Sequence, residues 1–260
     1  MRTPGDTTPL VAWRGPSFID GTLIRAIVYT RDGSLNPKIG PMAQVAFVPD
    51  DQVPHEAVKS GRDAAVCGDC IHRTANLGTC YVNLIYLRKI WEMTVGVPAD
   101  LEAACRALRA RGLPLRLGSW GDPASAPFEA TDALVRSVAR DGKPRHTGYT
   151  HQWRSCDGRH RRHLVASVDS EGEHAEARNL GWRTFRVRAE EMPVLPGEMV
   201  CPASPEGGEK ATCSACAVCN GASSRRDVVV IAHGLPNKTV NFKRHLRVLE
   251  NDELRRSIRP

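Results

Sequence analysis

Leu164-Val-Ala-Ser-Val168, Asp169-Ser170, Glu171-Gly-Glu-His-Ala-Glu-Ala-Arg-Asn-Leu180 and Thr184-Phe-Arg-Val187 follow one another along a single stretch of the chain. Two short apolar runs enclose a helical segment. A strand that returns to a parallel neighbour needs a crossover of a dozen or so residues, and this stretch supplies one. It therefore predicts strand, helix and strand in a parallel sheet. The rhythm recurs on both sides, with strand-like runs at 115–117, 147–149, 198–200 and 228–231 and a helical segment at 130–139. Six such strands, with one or two more upstream, predict an α/β fold: a partial or closed β/α barrel of about six to eight mostly parallel strands.

Upstream, residues 1–60 are rich in Gly, Pro, Thr and Val. They carry strand-like runs at 23–29 and 44–48 around turn chemistry at Asp32-Gly33. They are expected to form a short β-rich addition ahead of a barrel-like domain over 61–260. Between the two, helical spacing predicts helices over 81–95 and 98–111, with Pro98 in a first turn and Gly112 as a stop. Leu101, Cys105 and Leu108 share a face of the second helix, so Cys105 is expected to be a core thiol.

Each predicted strand of the main body runs straight into polar residues. These are Gly118-Ser119-Trp120-Gly121-Asp122, Thr150-His151-Gln152-Trp153, Asp169-Ser170, Arg188, Cys201-Pro-Ala-Ser204 and His233-Gly234. In a β/α barrel the loops at the carboxyl ends of the strands open on one face and build the active site. Asp122, His151 and Asp169 are therefore the expected catalytic groups. Ser119, Trp120, Gln152, Trp153, Ser170 and His233 are expected to line the substrate pocket around them. Asp122 and Asp169 each also precede helical pattern and suit an N-cap.

The cysteines point to metal. Cys67-Gly-Asp-Cys70 and Cys80 form one group; Cys201 and Cys213-Ser-Ala-Cys216-Ala-Val-Cys219 form another, with Cys156 between them. Thiolates two residues apart converge on one soft cation or one iron–sulfur face without backbone strain. Cys201, Cys213, Cys216 and Cys219 are expected to hold an iron–sulfur cluster or zinc, with His245 as an alternative fourth zinc ligand. Cys67, Cys70 and Cys80 are expected to hold a four-iron cluster whose fourth iron stays open to a small molecule such as S-adenosylmethionine. The other reading there is zinc completed by His72 or Cys156. The second group is expected to hang from a strand end on the same rim as Asp122, His151 and Asp169.

The formal charge of +7 and a pI near 9.1 predict a polyanionic partner. Arg154, Arg159, Arg161 and Arg162 form a dense basic run and are the expected nucleic-acid contacts, the alternative being a solvated face. A second basic run extends from Lys238 to Arg259. No phosphate-cradling glycine loop of the P-loop or dinucleotide type is present. No stretch approaches the roughly 18 apolar residues of a membrane span, and the opening Met1 to Asp6 has no signal-peptide pattern, so a cytoplasmic location without membrane contact is expected. Thiols stay reduced there, which favours metal ligation over disulfides.

Several motifs together resemble an uncharacterised family of phage and mobile-element proteins, "gene product eighty-eight". They are Asn36-Pro-Lys38-Ile-Gly40, Cys67-Gly-Asp-Cys70, Gly78-Thr-Cys80-Tyr81, Gly118-Ser-Trp-Gly-Asp-Pro123, Gly148-Tyr-Thr-His-Gln-Trp153, Cys201-Pro-Ala-Ser204 and the run from Cys213 to Gly221. The resemblance spans about residues 30–234. It implies a phage, prophage or plasmid setting in a bacterial host, with nucleic acid as the natural partner. The architecture also resembles radical S-adenosylmethionine enzymes, which carry a CxxxCxxC loop where the gaps here are two and nine residues. A further likeness is to zinc-containing guanine transglycosylases, whose three cysteines, distant histidine and two aspartates would correspond to Cys213, Cys216, Cys219, His245, Asp122 and Asp169. The leading expectation is an iron–sulfur enzyme acting on nucleic acid or a nucleotide. The alternatives are a zinc base-modification enzyme and a non-catalytic, metal-stapled nucleic-acid-binding protein.

Overall fold

In the computed structural model the described residues are 8–30, 37–80, 82–233 and 236–258, with side chains described up to 249. The turn at Asp32-Gly33, the motif residues Asn36, Tyr81 and Gly234, the opening Met1 to Asp6 and the end of the second basic run lie outside them. The chain opens with β1 (Leu10–Pro16), β2 (Leu23–Tyr29) and β3 (Ala43–Pro49). Then come α1 (Pro54–Ser60), α2 (Ala64–Cys67), α3 (Leu84–Glu92), α4 (Leu101–Arg111), β4 (Leu115–Leu117) and α5 (Phe128–Val138). The rest comprises β5 (His146–Thr147), β6 (Tyr149–Thr150), β7 (Val165–Val168), α6 (Glu171–Asn179), β8 (Thr184–Arg188) and β9 (Glu198–Val200). It closes with α7 (Cys213–Cys216), β10 (Asp227–Ile231) and α8 (Pro236–Ile258).

These strands make two five-stranded sheets in a mixed α/β fold. The first runs β1-β2-β3-β4-β5: antiparallel as far as β3, parallel from there on. The second runs β6-β7-β8-β10-β9 and is parallel throughout. The expected parallel strands are therefore present, and the N-terminal strands join them in one sheet through the β3–β4 pairing. Among the described residues β1 and β5 are the edge strands of the first sheet, and β6 and β9 those of the second.

A single strand-like run, 146–150, belongs to both sheets. His146 and Thr147 pair with β4, whereas Tyr149 and Thr150 pair with β7. Gly148 stands between them, its carbonyl accepting from Val165 N at 3.1 Å and its N–H donating to Cys219 O at 2.9 Å. A Cβ on Gly148 would run into Leu164 and press on Leu117, so only glycine fits where the chain changes sheet.

One apolar core runs beneath both sheets, from Ile24, Val45 and Phe47 through Leu115, Leu117 and Leu134 to Leu164, Val168 and Trp182. Cys105 joins it at 7% exposure, as its helical position predicts. Among the described residues four arginines are buried, and Arg25 and Arg186 are the most deeply enclosed. Arg25 donates to the carbonyls of Thr94 and Asp50 and lies 4.6 Å from the Trp91 ring, which docks the end of α3 on β2. Arg186 pairs with Glu198 at 2.7 Å with neither side chain exposed, locking β8 to the first residue of β9. No helix among the described residues is long and apolar enough to cross a membrane.

Candidate metal centre

The first cysteine group is built on a short turn. α2 ends at Cys67, and Gly68 follows at φ +58°, where a Cβ would collide with the Gln152 amide. Gln152 Nε2 donates to Cys67 O and to Asp69 Oδ1, each at 3.2 Å. On the other side Arg73 makes a two-pronged pair with Asp63 (3.0 and 2.8 Å) and donates to Gly68 O and Gly61 O. A planar guanidinium fixes several acceptors at once, so this clamp sets the shape of the whole turn. The chain then folds back, with Cys80 N donating to His72 O at 2.8 Å, and Lys238 of α8 reaches the Cys80 carbonyl.

This turn lies over the carboxyl ends of β4, β6 and β7. Asp122 N donates to Val66 O of α2 at 2.6 Å. Asp122 itself is buried, and its two oxygens have three partners: Oδ1 accepts from Ala124 N (2.9 Å), and Oδ2 accepts from Thr150 Oγ1 (3.0 Å) and His151 N (2.8 Å). It therefore caps the 3-10 turn at Pro123–Ser125 and ties β4 to β6. Asp169 differs. The cap of α6 falls to Ser170, whose Oγ accepts from Glu173 N at 3.1 Å, and Asp169 Oδ1 is buried with no hydrogen-bond partner. His151 Nε2 is likewise buried and unpartnered.

Burial shapes the electrostatics. It pushes the Cys67 thiol well up, helped by the neighbouring Cys70, Asp63, Cys80 and Asp122. It raises Cys70 to about 12, with Asp122 and Asp169 adding to the shift against opposing backbone N–H groups. Cys80 is raised for the same reason. Burial also brings Asp169 up to about 7, against the pull of His151 and with the help of Glu173. His72 falls to about 3, through burial first and then His151 and His245, so its imidazole is neutral. Its Nδ1 lies 2.7 Å from Thr79 Oγ1, and its ring meets His151 edge-on at 5.5 Å between centroids. Among the described residues, no three His, Cys, Asp or Glu side chains are drawn together tightly enough to hold a metal ion in their present positions. A shallow polar hollow lined by Asp20, Asp51, Gln52, Ser60 and Arg62 shares no residue with this cluster.

Several expected roles change. Trp120 and Trp153 are buried in the core, and Trp153 Nε1 donates to Ser167 O, so neither indole is a stacking platform for a ligand. Ser119 Oγ is taken up between Tyr29 Oη and Val45 O, and Ser170 caps α6. Gln152 holds the cysteine turn, and His233 is an exposed turn residue whose ring Nδ1 lies 2.8 Å from Ile231 O. Arg154 pairs with Glu173 and Glu176 and stacks on Trp153, while Arg159 pairs with Asp157 and Glu129. Two of the four expected nucleic-acid contacts are thus neutralised within the chain; Arg161 and Arg162 are exposed.

The second cysteine group is not on this rim. Parallel β9 and β10 are joined by a crossover that must travel from the carboxyl end of one strand to the amino end of the next. Cys201 stands at its start, with its N–H on Val229 O. The far end lies against the amino ends of the strands. Arg183, just before β8, donates to Val218 O and Gly221 O, and Gly221 packs on Arg162 and His163, just before β7. His245 does not join it. Its charge neighbours are His72 and Glu173, because α8 packs Phe242 and Leu246 against Ile71 and Leu77 of the first cysteine turn. The transglycosylase-like set of Cys213, Cys216, Cys219 and His245 is therefore split between the two ends of the sheet.

Comparison with protein-family models, with curated proteins and with solved structures finds no match for this chain.

Proposed function

We propose that this protein is a metalloenzyme whose reactive centre is an iron–sulfur cluster held by Cys67, Cys70 and Cys80, at the carboxyl end of sheets that curl as a partial β/α barrel. One observation carries this: three neighbouring thiols, of which Cys70 lies within electrostatic reach of Asp169, share this rim with two buried polar atoms that have no partner, Asp169 Oδ1 and His151 Nε2. Leaving such an atom unmatched costs about 1–3 kcal/mol each, a cost that binding or chemistry explains. Ligation needs the thiols to turn toward one another and lose their protons, which a bound soft cation drives.

Three thiolates suit a four-iron cluster with one iron open, and such a group supplies electron transfer or an open Lewis-acid position to a ligand such as S-adenosylmethionine. The chain's own residues do the rest. Asp169, poised near neutrality, holds or releases a proton at Oδ1. Asp122 fixes the backbone of His151 and so the direction of its ring. The neutral His72 fills the space beside them and brings no competing charge. We assign the substrate to the nucleic acids or nucleotides on the formal charge of +7 and the exposed Arg161 and Arg162. The motif resemblance supports a phage or mobile-element origin.

Anaerobic purification with iron and acid-labile sulfide analysis tests the assignment. Brown protein absorbing near about 400 nm, bleached by a Cys67→Ser/Cys70→Ser pair, is the expected result. Stoichiometric zinc without sulfide would sink it and favour the second reading. That reading is a zinc centre to which the neutral His72 imidazole adds a nitrogen donor beside the thiols.

A further inference from the structure

Cys201, Cys213, Cys216 and Cys219 lie apart from the rim thiols, where Arg73 and Lys238 stand among carboxylates. Around Cys67, Cys70 and Cys80 the charged neighbours include Asp63, Asp122 and Asp169. Around the second group they are cations: Lys38 beside Cys201, Arg116 beside Cys213 and Arg183 beside Cys219. We infer that these four cysteines, whose side chains must first turn toward one another, close into a separate four-thiolate site for a thiophilic metal centre, which staples the β9–β10 crossover and takes no part in the chemistry of the rim.

Four observations converge. Cys201 and Cys219 pack into one apolar cluster with Val165, Val228, Tyr149 and Phe185, although eighteen positions separate them in sequence. Cys213 and Cys216 come from one turn of α7, whose start is set by Thr212, and Cys201 lies within electrostatic reach of Cys216. Ala217 then holds φ +46°, a left-handed conformation that costs a non-glycine residue about 1–2 kcal/mol and swings Cys219 back toward the others. The cations complete the balance: four thiolates on a divalent ion carry a net charge of −2, which desolvates poorly unless positive groups surround it.

All four positions come from the protein, which is the pattern of a structural site and not of one with an open position. The loop is anchored where a staple would act. Cys213 N and Ser214 N donate to Lys38 O and Ile39 O, just upstream of β3, each at 2.9 Å, and Cys219 O holds Gly148 N at the junction of the sheets.

The test uses full-length Cys67→Ser/Cys70→Ser protein, in which only the second site remains. We expect one bound metal centre, with about four sulfur neighbours at roughly 2.3 Å for zinc by X-ray absorption. Zinc or iron without sulfide identifies a single ion; iron with sulfide identifies a cluster. Both support the site. Stripping it should lower the melting temperature by about 10 °C or more. Absence of metal, or a metal that persists after Cys213→Ser/Cys216→Ser is added, overturns the proposal. If the background variant does not fold, Cys213→Ser/Cys216→Ser in the otherwise wild-type chain gives the decision: it must bind one metal centre fewer than wild type, and equal metal content overturns the proposal. Failure of the rim assignment would not alter the metal content of the background variant, so the two failures are distinguishable.

Discussion

The backbone N–H of His151 donates to Oδ2 of Asp122 at 2.8 Å, joining the loops that follow β6 and β4. Thr150 Oγ1 shares the same oxygen, and Ala124 N takes the other. A buried carboxylate with this many donors positions its neighbours. Asp122→Ala should leave three donors unmatched and cost about 3 kcal/mol in urea unfolding, whereas Asp122→Asn should cost less because one oxygen remains. Equal losses for the two variants would contradict this role.

Asp169 should behave in the opposite sense. Its folded pKa of about 7 lies above the unfolded value near 3.9, so the native state is favoured below about pH 4 and loses that advantage as pH rises through 7. Asp169→Asn removes the ionisation. The variant should match the wild type at pH 4 and exceed its stability by on the order of 3 kcal/mol at pH 8. A stability difference independent of pH would show that Asp169 is not held in this way.

Two histidines away from the rim act on the acid side. Burial lowers His146 and His160 each to about 4, below the ordinary value near 6.5. The unfolded chain therefore takes up protons first, and stability falls as pH drops from 6.5 to 4, by on the order of 3 kcal/mol for each histidine. Asp169 partly offsets this, because its contribution rises over the same interval. Denaturation midpoints should decline across that window in the wild type and decline less in a His146→Gln/His160→Gln variant.

The pair of Arg186 and Glu198 is fully buried, so removing one partner strands the other. Glu198→Ala should cost about 3–5 kcal/mol, more than Glu198→Gln. Differential scanning calorimetry of the two variants gives the comparison.

The strands were readable because burial on both faces leaves short apolar runs such as Val165–Val168 and Asp227–Ile231. Helix starts were set by capping chemistry that periodicity does not show. The helix expected from 81 begins at Leu84 because Asn83 caps it, and the one expected from 98 begins at Leu101 because Asp100 accepts from Ala103 N. Similarly, Asp169 and Ser170 both suit a cap, and only the backbone geometry gives the position to the serine. β1 and α1 were missed: β1 ends in Arg14-Gly15-Pro16, which breaks its apolar run, and α1 is too short for a helical period to stand out.

Asp122, His151 and Asp169 were legible as a group because each follows a strand at its carboxyl end, whereas the first cysteine turn follows α2 and reaches them only through tertiary packing. The second group was misplaced for a topological reason. Cys201 does follow a strand, but β9 and β10 are parallel neighbours, so the chain must return from the end of β9 to the amino end of β10 before that strand can begin. Local spacing records the turn and says nothing of the return. The aromatic and basic motifs failed differently: Trp153 reads as a pocket residue and Arg154 as a nucleic-acid contact, yet Arg154 stacks on Trp153 and pairs with Glu173 and Glu176 of α6.

Gly148 gives the two ends of the molecule a common lever. Its amide is gripped from below by Cys219, and three residues further on the same strand delivers His151 to the upper face. A change that slackens the lower loop pulls on a rod whose other tip is the imidazole. The strand that presents the imidazole thus keeps its height only while the lower loop holds Gly148.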